Sequence, residues 1–321
     1  MYNSKMDKEL VELKRKFKEY YKEHLQHRYA ELEPQRKIFL DNFKKRFMWC
    51  CVGFIGLCCF FVAIESFSFD FLFYYIAFVV WVCSKPILKF KKATKSLVME
   101  KILSFWGDYK YYNYKELLSY DYIKKSALFQ DFNKQKQDDA FKGKYHNVEI
   151  NVSEVELINS RRFYDDDESF NPDDGDKKVF DGVLIALHLN KKCKGKTIVC
   201  EKNFGKWGDL SNKEKNCQVF LEDVVFNKKW DVYADDQIEA RYVLTPGLME
   251  KMLEVKKFFH GNRLDFSFFG DNLLIAVHTR KDMFETTSLF KSALDYRKVQ
   301  EVICQMYSVF SVIDVLKIRE K

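Results

Sequence analysis

The residues best placed to do chemistry in this chain lie in Asp231–Met249, DVYADDQIEARYVLTPGLM. Asp235, Asp236, Glu239 and Arg241 cluster there, just before a helix start at Thr245-Pro246. Neighbouring carboxylates could act as general acid and base, or join the guanidinium in gripping a ligand. The plainer reading is a turn at Asp235-Asp236 followed by an alternating strand, with Glu239 and Arg241 on one face. Arg241 is then expected to be partly buried and paired with a carboxylate, Asp236 first. A guanidinium in a strand that feeds the core must keep its donors satisfied.

Other chemical motifs fall away on inspection. Gly195-Lys196-Thr197 looks like the end of a phosphate-binding loop, but Asn190 stands where the first glycine should be. Ile198-Val199 also reads as strand where that motif needs a helix. The acidic run Asp165–Asp176, DDDESFNPDDGD, has seven carboxylates without calcium-loop spacing. It reads as a solvated loop, with a divalent-ion site as the alternative. His146, His188 and His278 have no ligand partner at metal spacing, and neither C-x-x-C nor G-x-S-x-G occurs. No cofactor and no metal site are expected.

The element that must position everything else is Phe47–Ser84. It reads FMWCCVGFIGLCCFFVAI, ESFSFD, FLFYYIAFVVWVCS, with Glu65 and Asp70 as its only charges. Phe47–Ile64 and Phe67–Ser84 are eighteen residues each, about 27 Å as a helix, which suits a bilayer core of roughly 30 Å. A transmembrane helical hairpin is expected over 47–84. Trp49 and Trp81 would share one interfacial level. Five of the nine cysteines lie in this stretch, where Cys serves as a small hydrophobe.

Charge sets the orientation. Residues 1–47 carry 13 basic and 8 acidic groups, and 85–106 carry 6 basic and 1 acidic, so each segment is +5. Residues 107–321 carry 35 basic and 36 acidic groups, −1. The basic excess therefore flanks the apolar stretch. That favours anionic lipid headgroups over nucleic acid as its partner, with Lys89, Lys91, Lys92 and Lys95 as contacts. The positive-inside rule puts both termini in the cytoplasm.

Residues 1–46 read as a basic helical arm that Pro34 should break or kink. Residues 85–106 read as a basic amphipathic juxtamembrane helix, or as the second span continued past Pro86. A helix over Tyr114–Phe129 is expected next. From about residue 144 the apolar period becomes two, predicting strands at 148–157, 179–189, 197–200, 218–221 and 231–233. Arg263–Phe269 and Asn272–Thr279 flank Gly270-Asp271 as a hairpin. Helices follow Thr245-Pro246 and run from about Ser292 to Leu316. The fold class is α+β: a hairpin in the membrane, then a domain over 107–321 with a mostly antiparallel sheet and packed helices.

The strings VFDGVLIALHLNKKCKGKTIV, VFLEDVVFNKKWDVYADDQIEARYVLTPGLMEKM and LDFSFFGDNLLIAV resemble the uncharacterised bacterial family called domain of unknown function 3137. The resemblance covers roughly residues 120–317. It implies a bacterial inner-membrane protein with a cytoplasmic domain, and it carries over no catalytic residues. The leading functional expectation is a membrane-tethered binding or scaffold module. A protein partner could dock on the apolar stripe of the N-terminal helix or on a sheet face. The alternative is an enzyme acting on a membrane-proximal substrate through Asp235, Asp236 and Glu239. An accessory transporter subunit is the weaker alternative, since the spans hold no internal ionisable residue.

Overall fold

The computed structural model describes residues 2–64, 69–113, 115–129, 132–160, 176–189, 192–202, 217–258, 263–279 and 284–315. The chain divides into two compact units. Met1–Phe105 with Glu285–Val302 form the first, and Trp106–Phe284 with Ile303–Lys321 form the second.

The first unit is helical: α1 (Tyr2–Tyr20), a π-turn at Tyr21–Leu25, α2 (Gln26–Ile64) and α3 (Phe69–Leu103). Phe17, Tyr21, Leu25 and Tyr29 are all buried at a strict four-residue spacing. On an ideal helix that spacing drifts about 40° per step. The wider π-turn takes up the drift and keeps all four on one face. The helix does not break at Pro34, contrary to the sequence expectation. Pro34 sits on the exposed face, while Leu32 and Arg36 on either side of it are buried. Packing of those neighbours outweighs the one helical hydrogen bond the ring removes. Helix α3 runs on past Pro86 to Leu103, which is the continued-helix alternative for the basic segment after residue 85.

Helices α2 and α3 run antiparallel. Phe39 meets Phe90 at 5.9 Å between ring centroids, Phe54 meets Tyr75 at 5.4 Å and Phe61 meets Phe71 at 4.9 Å. Arg46 donates to the Val82 carbonyl at 3.3 Å. One helix among the described residues, Phe71–Leu103, is long and apolar enough to cross a membrane. The turn residues 65–68 lie outside the described residues.

Residues 285–302 fall in the first unit, although sequence patterning groups them with the large domain. Glu33 and Arg36, one helical turn apart on α2, form a two-pronged ion pair with contacts of 2.6 and 3.0 Å. Arg36 then donates to the Leu289 carbonyl at 2.8 Å, and the Ala293 amide donates to Glu33 at 2.7 Å. Tyr296 packs on Phe17 and Tyr21.

The second unit is a nine-stranded sheet with every pairing antiparallel, in the order β1-β2-β3-β4-β9-β8-β5-β7-β6. Its strands are β1 (Tyr109–Asn113), β2 (Lys134–Tyr145), β3 (Val148–Asn159), β4 (Lys177–His188), β5 (Lys196–Glu201), β6 (Gln218–Val219), β7 (Trp230–Ala234), β8 (Arg263–Phe269) and β9 (Asn272–His278). Short helices α4 (Tyr120–Lys125), α5 (Val224–Lys229), α6 (Gln237–Val243) and α7 (Pro246–Phe258) interrupt it, and α8 (Tyr296–Val315) ends the chain's described part. Both faces of the central strands are buried. On one face Leu118, Ile123, Leu128 and Phe132 cover Val155, Leu157, Phe180, Leu184 and Leu274. On the other, Met306 and Val309 of α8 join Phe284 over Phe141, Val152, Val183 and Ile185.

Two expectations change here. The helix predicted over Tyr114–Phe129 is only Tyr120–Lys125, capped by Ser119, and Tyr109–Asn113 is strand β1. Strand β2 was not expected, because KQKQDDAFKGKY has almost no apolar alternation. Its buried Gln137 is met by backbone from outside the strand: the Leu117 amide donates to Gln137 at 2.9 Å, and Gln137 donates to the Leu118 carbonyl at 2.5 Å. The β2–β3 hairpin turns at His146-Asn147, both at positive φ (47° and 68°), a two-residue turn whose twist matches the strands.

Gly182 leaves room for β9. A Cβ there would lie 2.0 Å from the Val277 carbonyl oxygen. Gly182→Ala should therefore lower stability by about 1–3 kcal/mol, read as a fall in the denaturant midpoint. Gly247→Ala, with nothing within 4 Å of its Cβ, should be neutral or stabilising.

A second expectation concerns pH. The Arg36 hydrogen bond and charge, with the Ala293 amide, hold the Glu33 carboxyl below its ordinary value of 4.5. A depressed carboxylate stabilises the fold above its unfolded pKa, and that contribution is lost as pH falls through the folded one. The stability gap between the wild type and Glu33→Gln should be full at neutral pH. It should close below about pH 4.5, as measured by melts of the two proteins across pH.

Candidate functional site

The sequence-predicted cluster is present, but its parts serve the backbone. Residues 237–243 form helix α6 rather than a strand. Asp236 caps it, accepting from the Ile238 amide at 2.8 Å and the Glu239 amide at 3.2 Å. The spacing Asp236-x-x-Glu239 is a helix-start signature that predicts this outcome. Asp235 accepts from the Lys196 amide at 2.9 Å, and Glu239 accepts from the Lys194 amide at 3.4 Å. Both therefore fasten the turn before β5. Gly195 sits in that turn at φ 83°, a value only glycine adopts freely. The Gly-Lys-Thr run is the entry to β5, with Lys196 and Thr197 already in the strand.

Arg241 departs from expectation. It is exposed, and its hydrogen bonds go to two carbonyls, Gln237 at 3.2 Å and Phe220 at 3.3 Å. No carboxylate pairs with it among the described residues. A helix points Arg241 outward, whereas the expected strand would have turned it toward the core.

A buried charge network lies elsewhere in the sheet. Asp265 on β8 has no exposure at all. Its carboxylate pairs with Arg263 Nε at 2.8 Å, takes a hydrogen bond from His278 Nε2 at 2.8 Å and accepts the Glu201 amide at 2.9 Å. Glu201 in turn accepts Lys256 Nζ of α7 at 2.7 Å and the Leu264 amide at 2.9 Å. The edge of His278 rests against the Phe180 ring. Sequence spacing could not reveal this set, because Glu201, Lys256, Asp265 and His278 meet only once β5, β8, β9 and α7 are assembled. An Asp–His pair can serve general-base chemistry. Here the carboxylate lines none of the described pockets, and its oxygens are taken by partners from three strands.

A carboxylate triad, Asp138, Asp139 and Glu154, brings one oxygen from each within 4.8 Å of the others. Asp138-Asp139 occupy the bulge of β2 where register with β3 shifts. A calcium or magnesium site needs six or more oxygens. The Tyr111 hydroxyl donates to Asp139, and the Phe284 amide donates to Glu154. The Tyr111 phenol is raised by burial and by the Asp139 charge. Of the acidic run, 165–175 lie outside the described residues, and Asp176 lies 3.7 Å from Lys134.

A groove of about 200 Å³ is lined by Ser119, Tyr122, Glu149, Asn151, His188 and Asn272 among others. It is smaller than the 300 Å³ or so at which small-molecule pockets begin. His188 sits 3.7 Å from Asp271 at its rim. Of the lysines expected to meet headgroups, Lys89 and Lys92 are exposed, Lys91 pairs with Glu285 at 2.5 Å, and Lys95 is buried.

Residues 178–318 match the family model described as protein of unknown function DUF3137. The match begins at β4, later than the resemblance drawn from sequence. No curated protein matches the chain. A solved structure, the mycobacterial trehalose monomycolate transport factor A, matches at 9% identity and a TM-score of 0.32. It covers 64% of this chain and 88% of that one. At that level it carries no argument about fold or function.

Asp265→Ala removes the buried carboxylate that Arg263 and His278 share, so it should cost about 3–5 kcal/mol, visible as a large fall in melting temperature. Arg241→Met should change stability by no more than about 0.5 kcal/mol. A large loss at Arg241 would return it to the structural role first expected.

Proposed function

We propose that this chain is a membrane-tethered binding module, held by a two-helix hairpin over 47–84 with both termini in the cytoplasm. One observation carries this reading: a continuous band of exposed apolar side chains. On α2 it includes Phe47, Trp49 (69% exposed), Val52, Ile55 and Phe60. On α3 it includes Phe73, Ile76, Phe78, Val80 and Trp81 (58% exposed). Apolar surface this extensive is rare in a soluble monomer. The band contains no Lys, Arg or His from Phe47 to Ser84, while Lys44, Lys45 and Arg46 precede it and Lys85 and Lys89 follow. That charge pattern supports the cytoplasmic orientation and, with the family resemblance, the bacterial inner membrane.

The binding reading is supported by how the polar groups of the sheet domain are used. Asp235, Asp236 and Glu239 hold backbone amides, and none of them lines a described pocket. An enzyme acting through those carboxylates is therefore the less supported alternative. A transporter subunit lacks an ionisable group inside the described spans to mark a path.

A cysteine at Ser66 should react with an impermeant thiol reagent in intact cells, after any outer membrane is permeabilised. A cysteine at Lys228, an exposed residue of the sheet domain, should react only after lysis. The reverse pattern overturns the orientation. Release of the chain by alkaline carbonate without detergent overturns the hairpin.

A further inference from the structure

The segment after the sheet's last hairpin carries an apolar surface that the hairpin does not account for. In Glu285–Leu294, Phe290 is 59% exposed and Leu294 46% exposed, and Lys291 between them is exposed too. This is not a loose loop. The Glu33–Arg36 pair grips its backbone at Leu289 and Ala293, and Lys91 holds Glu285. The grip fixes where Phe290 lies: its ring meets Phe43 edge-on at 5.1 Å, and Phe43 stacks on Phe47 at 6.3 Å.

Phe47 is the first residue of the apolar band, and Phe43 precedes it by one helical turn, about 6 Å along the axis. Phe290 is thus held one turn short of the hydrocarbon, the depth at which aromatic rings favour the lipid headgroup region. The charges around it match an anionic surface. Lys44, Lys45, Arg46, Lys89, Lys92 and Lys291 surround this end of the helices. The nearby carboxylates are occupied: Glu33 by Arg36, Glu285 by Lys91 and Asp41 by Lys45. Leu88, 61% exposed on α3, adds apolar surface at a similar level.

We propose that Glu285–Leu294 is an interfacial membrane anchor, which seats Phe290 and Leu294 among the headgroups of an anionic bilayer beside the start of the first span. The proposal rests on the hairpin reading. It names a bilayer rather than a second copy of the chain because the surface is continuous, through Phe43 and Phe47, with the apolar band. The anchor lies inside the matched region 178–318. The family domain would then reach the bilayer through its own residues as well as through the tether.

The test uses the full chain labelled with 5-fluorotryptophan, in nanodiscs containing anionic lipid, with Phe290→Trp and Leu294→Trp as separate variants. Each adds one fluorine resonance to those of the five native tryptophans. Retention of the native pattern reports folding. The new resonance should be relaxed several-fold more strongly by a lipid nitroxide near the headgroup than is Trp230, which is buried in the sheet domain. It should also be relaxed more strongly than by a nitroxide at the chain end. If Trp49 and Trp81 respond to lipid nitroxides while neither new tryptophan does, the anchor is refuted and the hairpin stands. If Trp49 and Trp81 do not respond, both fail. A new tryptophan shielded from lipid nitroxides and from a soluble gadolinium chelate alike would show a protein covering the face, and would also overturn the anchor.

Discussion

Asp265 has no access to water, and a carboxylate in that position must be compensated by its immediate neighbours. Its partners come from every direction in the middle of the sheet: Arg263 on its own strand, His278 from β9 and the Glu201 amide from β5. Glu201 extends the chain of charges to Lys256 on α7. These contacts fix the order β9-β8-β5, next to the β4–β9 pairing through which the four-strand meander β1–β4 joins the later strands. A slip of β8 by one residue would carry Asp265, with Arg263 on the same strand, to the other face, away from His278 and the Glu201 amide.

In the first unit the corresponding constraint is one of periodicity. Four buried aromatic and aliphatic side chains at four-residue spacing cannot share a face of an ideal helix. The π-turn at Tyr21–Leu25 reconciles the spacing with the packing. Downstream, burial of Leu32 and Arg36 carries the helix through Pro34. Arg36 shows how one charged side chain can serve several ends. Its pairing with Glu33 leaves the fork able to reach the Leu289 carbonyl, while Glu33 takes the Ala293 amide. A segment far along the sequence is thereby secured to the helices.

The two units differ in what they leave exposed. In the sheet domain the carboxylates that could have been catalytic are engaged with amides or cations, and the described grooves are small or apolar. In the helical unit the polar residues near 33–36 and 91 are engaged as well, but large apolar side chains remain uncovered over much of α2 and α3. That contrast, satisfied polar groups beside exposed apolar ones, is the basis for the proposal that the helical unit meets a membrane.

Much of this was legible in the sequence, and the limit is physical. Long apolar runs, period-two strands, the Gly270-Asp271 hairpin and the Thr245-Pro246 helix start are local properties, and each corresponds to an observed element. Local signals were also enough for the family resemblance. Strand β2 was not legible, because it lacks an apolar pattern of its own and its buried Gln137 is met by the backbone of residues 117–118. Arg241 was misread because a single capping aspartate, Asp236, turns the following residues into a helix and sends the guanidinium outward. Residues 285–302 read as part of the large domain, and contacts as distant in sequence as the Glu33–Arg36 pair, more than 250 positions away, assign them to the helices. The Asp265 network was invisible for the same reason. Sequence spacing encodes which face a side chain takes within its own element. Which charges meet across elements is decided by register and packing, and those exist only in the folded chain.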